Sequence, residues 1–316
     1  SGSYTGNASF GQDVILGTTT ISISNAFYTG SSGTRGLTIS NTSADTTAPA
    51  IMPTVTGTPG QNDWYTSDVS VHWNITDNES PVTSTSGCGD ISITSDTSGT
   101  TLTCSATSSG GTASESVTIK RDATAPMITI GGITDGAIYL LGAVPSPSCT
   151  ASDSGSGLAA PCHGTLSGGT TSNVGSYIYT ATAADTAGNV QTVSTAYRVI
   201  YNFAGFFQPI ENLPTLNQVS AGRSIPIKFS LDGYQGMNIF AAGSPASIII
   251  TCSSLAPVDI VEETGTAGSS SLSYDMASGR YTYVWKTEKS WSGTCRQLVV
   301  KLIDGQIYRA NFKFVK

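Results

Sequence analysis

Charge is what this sequence has least of. Asp, Glu, Lys and Arg make up 11% of its 316 residues, where a soluble protein usually carries about 25%. Ser, Thr, Gly and Asn take their place. The surface is therefore wetted by hydroxyls and amides, a habit of proteins outside cells more than of cytosolic enzymes. The charge present sums to −7, and there is no run of Lys and Arg. The densest cationic stretch, KTEKSWSGTCR from Lys286 to Arg296, carries a Glu and reads as a solvated strand edge. Phosphate binding needs clustered cations, so no nucleic acid is expected as a partner. No stretch approaches the roughly 20 apolar residues of a membrane helix, so no membrane insertion is expected. The chain opens at Ser1 with neither an initiator Met nor the apolar core of a leader, which suggests a processed or excised form.

Histidine is nearly absent, with two in the chain. A hydrolase triad needs one as its base. His72 falls on the outward face of a predicted strand, and His163 follows Cys162 in a predicted turn. Glu262 and Glu263 lie in a predicted loop without the apolar pocket that would raise a carboxyl pKa. No acid, base and nucleophile converge, so no enzyme activity and no catalytic residue are expected. A C-x-x-C pair is missing as well, which argues against zinc.

What is present is cysteine in pairs. Cys88 and Cys104, Cys149 and Cys162, and Cys252 and Cys295 fall two by two into successive segments. They read as three local disulfides made in an oxidising compartment. Period-two alternation runs almost throughout. In DVSVHWNITD, Val69, Val71, Trp73 and Ile75 share one face and Ser70, His72, Asn74 and Thr76 the other. GSYIYTATAAD, SIPIKFSLDG and RYTYVWKTE alternate alike, rich in β-branched and aromatic residues. The fold class is all-β.

The chain also repeats itself. SADTTAP, from Ser43, returns as KRDATAP, from Lys120. After each come a strand, an acidic turn (TDNESPV or SDSGSGL), cysteines and a long closing strand. Short strands with regular turn signals suggest sandwiches. The prolines Pro49 and Pro126 fix φ and push Ala48 and Ala125 towards extended backbone, as a domain junction requires. Four segments follow: 1–46, an N-terminal strand segment; 47–123 and 124–202, two sandwich repeats; and 203–316, an aromatic-rich C-terminal β-domain holding most of the Lys and Arg.

The repeats resemble bacterial extracellular Ig-like tandem repeats, which begin with D-x-T-A-P and carry D-x-x-S-G-x and A-D-x-A-G-N turns. Repeat two matches through Asp153 to Gly157 and Ala184 to Asn189. Repeat one departs, with TDNESPV and TSSGGT in their place. The last segment is similar to the PxKF domain, through Pro226, Ile227, Lys228 and Phe229, and then GFFQPIENLPTLN, MNIFAAGSP and ANFKF. The resemblance implies tandem Ig-like β-sandwiches plus a C-terminal β-sandwich, and no enzyme.

These readings lead to a secreted structural protein at the cell surface: a multi-domain β rod that self-assembles into an extracellular filament or serves as an adhesive stalk. The segment from Gly11 to Ser40 holds two predicted strands with too little apolar content to stand alone. Either it belongs to a severed domain or it adds strands to another copy, head to tail, with Ile21, Ile23 and Phe27 filling pockets. The alternative function is a C-terminal module that binds a cell-surface glycan or cell wall for a larger enzyme or adhesin. Phe203, Phe206, Phe207, Trp285 and Trp291 suit a sugar-stacking platform, while packing at the junction of repeat two with the last segment accounts equally well for Phe203 to Phe207. No cofactor is expected. Calcium, which takes 6 to 8 oxygen ligands, would draw on Asp77, Asp153, Asp185 and Asn189, though such turns also form by side-chain to backbone hydrogen bonds alone.

Overall fold

The computed structural model describes residues 44–169, 173–258, 262–263 and 272–316. The predicted N-terminal strands, with Ile21, Ile23 and Phe27, lie outside the described residues. The protein is all-β; among the described residues the one helical turn is the 3-10 turn Lys289–Trp291. Two compact units emerge. Unit 1 runs through Thr124 and includes Thr186–Asn189, and unit 2 comprises Ala125–Asp185 with Val190–Lys316.

Unit 1 is built from β1 (Ala50–Thr56), β2 (Trp64–Tyr65), β3 (Val69–Thr76), β4 (Ser84–Ser86), β5 (Ile91–Ile93), β6 (Thr97–Ser108) and β7 (Gly111–Arg121). They form two sheets, ordered β1-β3-β5 and β2-β7-β6-β4. The alternation of DVSVHWNIT is the burial pattern itself. Val69, Val71 and Trp73 are buried together with Cys104 and Ile119 from the other sheet, which makes the unit a sandwich with one core. Burying a side chain of this size stabilises by about 1.5–3 kcal/mol. The β6–β7 ladder is the longest in the unit, pairing Thr100 with Ile119 through to Ser108 with Gly111. Its outer face is laced by hydroxyl pairs: Thr101 with Thr118 at 2.9 Å, Thr103 with Ser116 at 2.8 Å and Thr107 with Thr112 at 2.8 Å.

Unit 2 begins with β8 (Met127–Gly131), β9 (Ile138–Leu140), β10 (Ser148–Ser152), β11 (His163–Gly168), β12 (Gly175–Ala184) and β13 (Val190–Ile200). It continues with β14 (Phe206–Phe207), β15 (Leu216–Ser220), β16 (Ser224–Phe229), β17 (Ala246–Ile250), β18 (Glu262–Glu263), β19 (Leu272–Asp275), β20 (Arg280–Lys286), β21 (Cys295–Lys301) and β22 (Ile307–Val315). The sheets are β10-β8, β11-β12-β13-β9, β14-β16-β20-β19 and β15-β22-β21-β17-β18. One apolar core is continuous across residue 202, from Tyr197 and Val199 through Tyr201 to Phe229, Trp285 and Phe312. Asp304, buried, fastens the same place: it accepts the Tyr201 N–H on Oδ2 at 2.8 Å, and its carbonyl accepts Arg198 Nη2 at 2.5 Å.

Three local expectations are corrected. His163 opens β11 instead of sitting in a turn, because its segment pairs with β12, His163 opposite Thr182. Glu262 and Glu263 form an edge strand against β17, not a loop. Lys286 to Arg296 is no strand edge: it ends β20, makes the 3-10 turn and enters β21, an interior strand of its sheet.

Candidate functional site

The most elaborate polar structures in unit 1 stand where the chain enters and leaves it. At the entrance, Asp45 Oδ1 accepts the Thr47 N–H at 3.0 Å, the local turn that a D-x-T sequence makes by itself. Its Oδ2 accepts the hydroxyls of Ser80 at 2.5 Å and Ser108 at 3.1 Å. Glu79 reaches back to the Thr46 N–H at 3.3 Å and the Thr47 hydroxyl at 3.2 Å. Asp77 Oδ1 closes the acidic turn by accepting the Glu79 and Ser80 N–H groups, both at 2.9 Å. Gly110 allows the β6–β7 turn to lie against this entering segment, since a Cβ there would come within 2.0 Å of the Thr47 carbonyl. The Ser80 hydroxyl is the main reason the Asp45 carboxyl is held down to about 2. The Ser80 and then the Glu79 N–H lower that of Asp77.

At the exit, Arg121 is 8% exposed and donates to three partners: Asp96 Oδ1 at 2.6 Å, Asp68 Oδ1 at 2.7 Å and the Ser67 carbonyl at 3.1 Å. Asp96 also takes the Ala123 N–H at 2.9 Å and the Thr124 hydroxyl at 2.6 Å, both from the second junction sequence. Burial pushes the Asp96 carboxyl up, but these hydrogen bonds and the Arg121 charge outweigh it and leave it lowered. Asp122 repeats the local turn, its Oδ1 accepting the Thr124 N–H at 3.1 Å, while its carbonyl accepts Asn189 Nδ2 at 2.9 Å. Entrance and exit lie at opposite ends of the β6–β7 ladder. At ~3.3 Å per residue, twelve residues of β6 hold them roughly 35–40 Å apart.

The disulfides join Cys88 to Cys104, Cys149 to Cys162 and Cys252 to Cys295. Each binds neighbouring segments of one sandwich, with Cys295 opposite Ile250, two residues before Cys252. Among the described residues no helix is long and apolar enough to cross a membrane.

Of the oxygen donors suited to calcium, Asp153 and Asp185 are brought together in unit 2, with carboxylate oxygens within 4.8 Å of one another. Asp153 Oδ1 already accepts the Gly155 and Gly157 N–H groups at 3.1 and 2.8 Å. Asp77 and Asn189 belong to unit 1, each in its own network. His72 finds a partner that its own strand does not reveal: its Nδ1 lies 2.6 Å from Asp90 Oδ1. Both side chains are well exposed, at 65% and 77%. The nearby Ser70 and Ser92 hydroxyls face each other at 3.3 Å, so the pair is a solvated cross-strand contact. The aromatic platform is corrected. Trp285 and Phe206 are buried in the core, and the ring of Phe203 stacks on Tyr308 at 3.6 Å within the last segment. Burial raises the Tyr308 hydroxyl to about 12.

No family model matches the chain, and no curated protein matches it either. Solved structures similar to it include immunoglobulin domains, cadherin domains and a repeat of an adhesion protein. Sidekick-1 immunoglobulin domains 1–5 share 13% identity over 85% of this chain, which spans 59% of theirs, with a TM-score of 0.27. A tetra-tandem repeat in the extending region of a large adhesion protein shares 13% over 84% of this chain and 73% of its own, at 0.29. The protocadherin gammaB7 EC3-6 cis-dimer structure shares 13% over 86% and 78%, at 0.24.

Proposed function

We propose that this protein is an extracellular structural protein, an adhesive stalk of β-domains that transmits tension and extends by strand donation between copies. The placement of the two clamps carries the reading. Tension entering at Asp45–Thr47 and leaving at Arg121–Thr124 runs along β7, whose ladder with β6 must then shear as a whole instead of opening one bond at a time. The clamps keep the first and last residues from peeling away, and the hydroxyl pairs tie the ladder across its length. Three disulfides support an oxidising, extracellular setting.

Strand donation has support in unit 2. The β10-β8 sheet has two strands where the sheet of unit 1 that opens on β1 has three, and among the described residues no third strand pairs with β10. Such an edge can accept a strand from another chain. Segment Gly11–Ser40 is the donor in this reading.

Single-molecule pulling on the whole chain tests the stalk. Arg121→Met is expected to lower the unfolding force of unit 1, whereas Lys120→Met beside it is expected to leave the force unchanged. Equal forces in wild type and Arg121→Met would remove the clamp argument.

A further inference from the structure

The acidic chain has one cationic end. Residues 203–316 hold ten of its 14 Lys and Arg but eight of its 21 Asp and Glu. There a cleft of about 540 Å³ is lined by Arg223, Lys289 and Lys316 together with Ser220, Gly222 and Ser292. Three pieces of chain converge on it, each fixed by backbone. The turn between β15 and β16 is pinned by the Ala221 N–H on the Val315 carbonyl at 2.9 Å and by the Thr287 hydroxyl on the Arg223 carbonyl at 2.6 Å. The 3-10 turn is tied to β22 by the Gly293 N–H on the Phe314 carbonyl at 2.8 Å. Gly222, at φ +76°, lets the first turn close onto the second: a Cβ there would sit 2.5 Å from Lys289 Cγ.

Among the described residues, Arg223, Lys289 and Lys316 take part in no ion pair. Glu288 precedes Lys289 but does not line the cleft, and the Glu262–Glu263 strand lies at the opposite edge of the five-stranded sheet from β15. Lys286, opposite Ser224 at the start of β16, adds a fourth cation nearby.

We infer that this cleft binds the anionic groups, sulfate or carboxylate, of an acidic polysaccharide. A guanidinium supplies a planar fork and each ammonium three donors for such oxyanions, with the serine hydroxyls beside them. A nucleic acid is a poorer fit, because its affinity is built from many phosphate contacts and the cleft offers three cations on a chain of net charge −7. An acidic polysaccharide carries its sulfates or carboxylates on sugar rings, whose free hydroxyls can also bond Ser220 and Ser292 beside the cations.

Binding of the full chain to immobilised dextran sulfate, polygalacturonate and neutral dextran, at low and at physiological salt, tests this. The protein is expected to bind at least one polyanion in a salt-sensitive way and to ignore neutral dextran. Dextran sulfate alone would assign sulfate, and polygalacturonate alone carboxylate. The double variant Arg223→Gln, Lys289→Gln is expected to lose about tenfold in affinity. Lys301→Gln with Arg309→Gln, the same charge change at the other end of β22, is expected to keep it, with circular dichroism confirming that both variants fold. Binding to neither polyanion, equal binding to neutral dextran, or equal losses in the two double variants would each overturn the inference. The variants change residues 223, 289, 301 and 309 alone, and every protein tested keeps residues 1–43. Failure here therefore leaves strand donation untouched.

Discussion

Asp45 and Asp122 explain why the chain says D-x-T-A-P twice. Each carboxylate caps the N–H two residues on, at 3.0 and 3.1 Å, before a proline that enforces extended backbone. That much is legible in the sequence, because the bond is local. The partners that turn Asp45 into a clamp are not, since Ser80 and Ser108 lie 35 and 63 positions away and only the fold brings them in. The Asp45 carboxyl, held at about 2 in the folded chain against an ordinary 3.8, gives a pH dependence of known sign. Its contribution to stability is complete above about pH 4 and is lost as pH falls towards 2. Asp77 and Asp96, also lowered, act in the same direction. Thermal unfolding of the whole chain between pH 7 and pH 2 is expected to show this acid loss, and Ser80→Ala, by letting the Asp45 pKa rise, is expected to shrink it. An unchanged pH profile in Ser80→Ala would assign the loss elsewhere. Arg121→Met is expected to cost on the order of 2–3 kcal/mol in denaturant unfolding, because it leaves Asp96 half-paired beneath the junction.

Strands were readable wherever one face is buried and the other wet. β3 alternates without a break between buried Val69, Val71 and Trp73 and exposed Ser70, His72 and Asn74. Trp73→Ala is expected to cost about 3–5 kcal/mol, and Asn74→Ala on the wet face within about 0.5 kcal/mol, in the same denaturant assay. Elements held by their partners more than by their own pattern were not readable. β11, HGTLSG, has low strand propensity and exists because β12 pairs with it. The charged Glu262–Glu263 survives as a strand only at a sheet edge, where charge is tolerated. Cysteine order was informative because all three bridges are local, closing 16, 13 and 43 residues. In the chain-entropy model the Cys252–Cys295 bridge contributes about 4 kcal/mol and each of the other two about 3. Replacing each pair by serine is therefore expected to give the largest loss for Cys252 and Cys295, measured by denaturant unfolding of the whole chain. Equal losses would assign the stabilisation to local packing instead of loop closure.

At the scale of the whole molecule, assembly turns on whether the N-terminal segment and an open sheet edge meet between copies. In the proposed assembly a donated strand would gain backbone hydrogen bonds along β10 and would bury alternate apolar side chains, Ile21, Ile23 and Phe27 in this sequence, leaving their polar neighbours in water. A contact from one end of a chain to another part of the next is heterologous, and in the proposed assembly its rotation does not close a ring, so it would grow a filament. With few charges on the surface, little repulsion opposes that growth. Electron microscopy of the concentrated protein is expected to show filaments, and a chain beginning at Ala44 is expected to show none. That truncation point matters, because it keeps Asp45 and the entrance clamp and separates loss of the donor from damage to unit 1. The double variant Ile21→Asp, Ile23→Asp, which retains the whole segment but places charge where the pockets require apolar groups, is expected to behave like the truncation. Filaments that persist in both variants would show that copies join by some other surface. Filaments lost on truncation but kept in the aspartate variant would mean that the segment works through its backbone or its length, without the side-chain pockets that alternation implies.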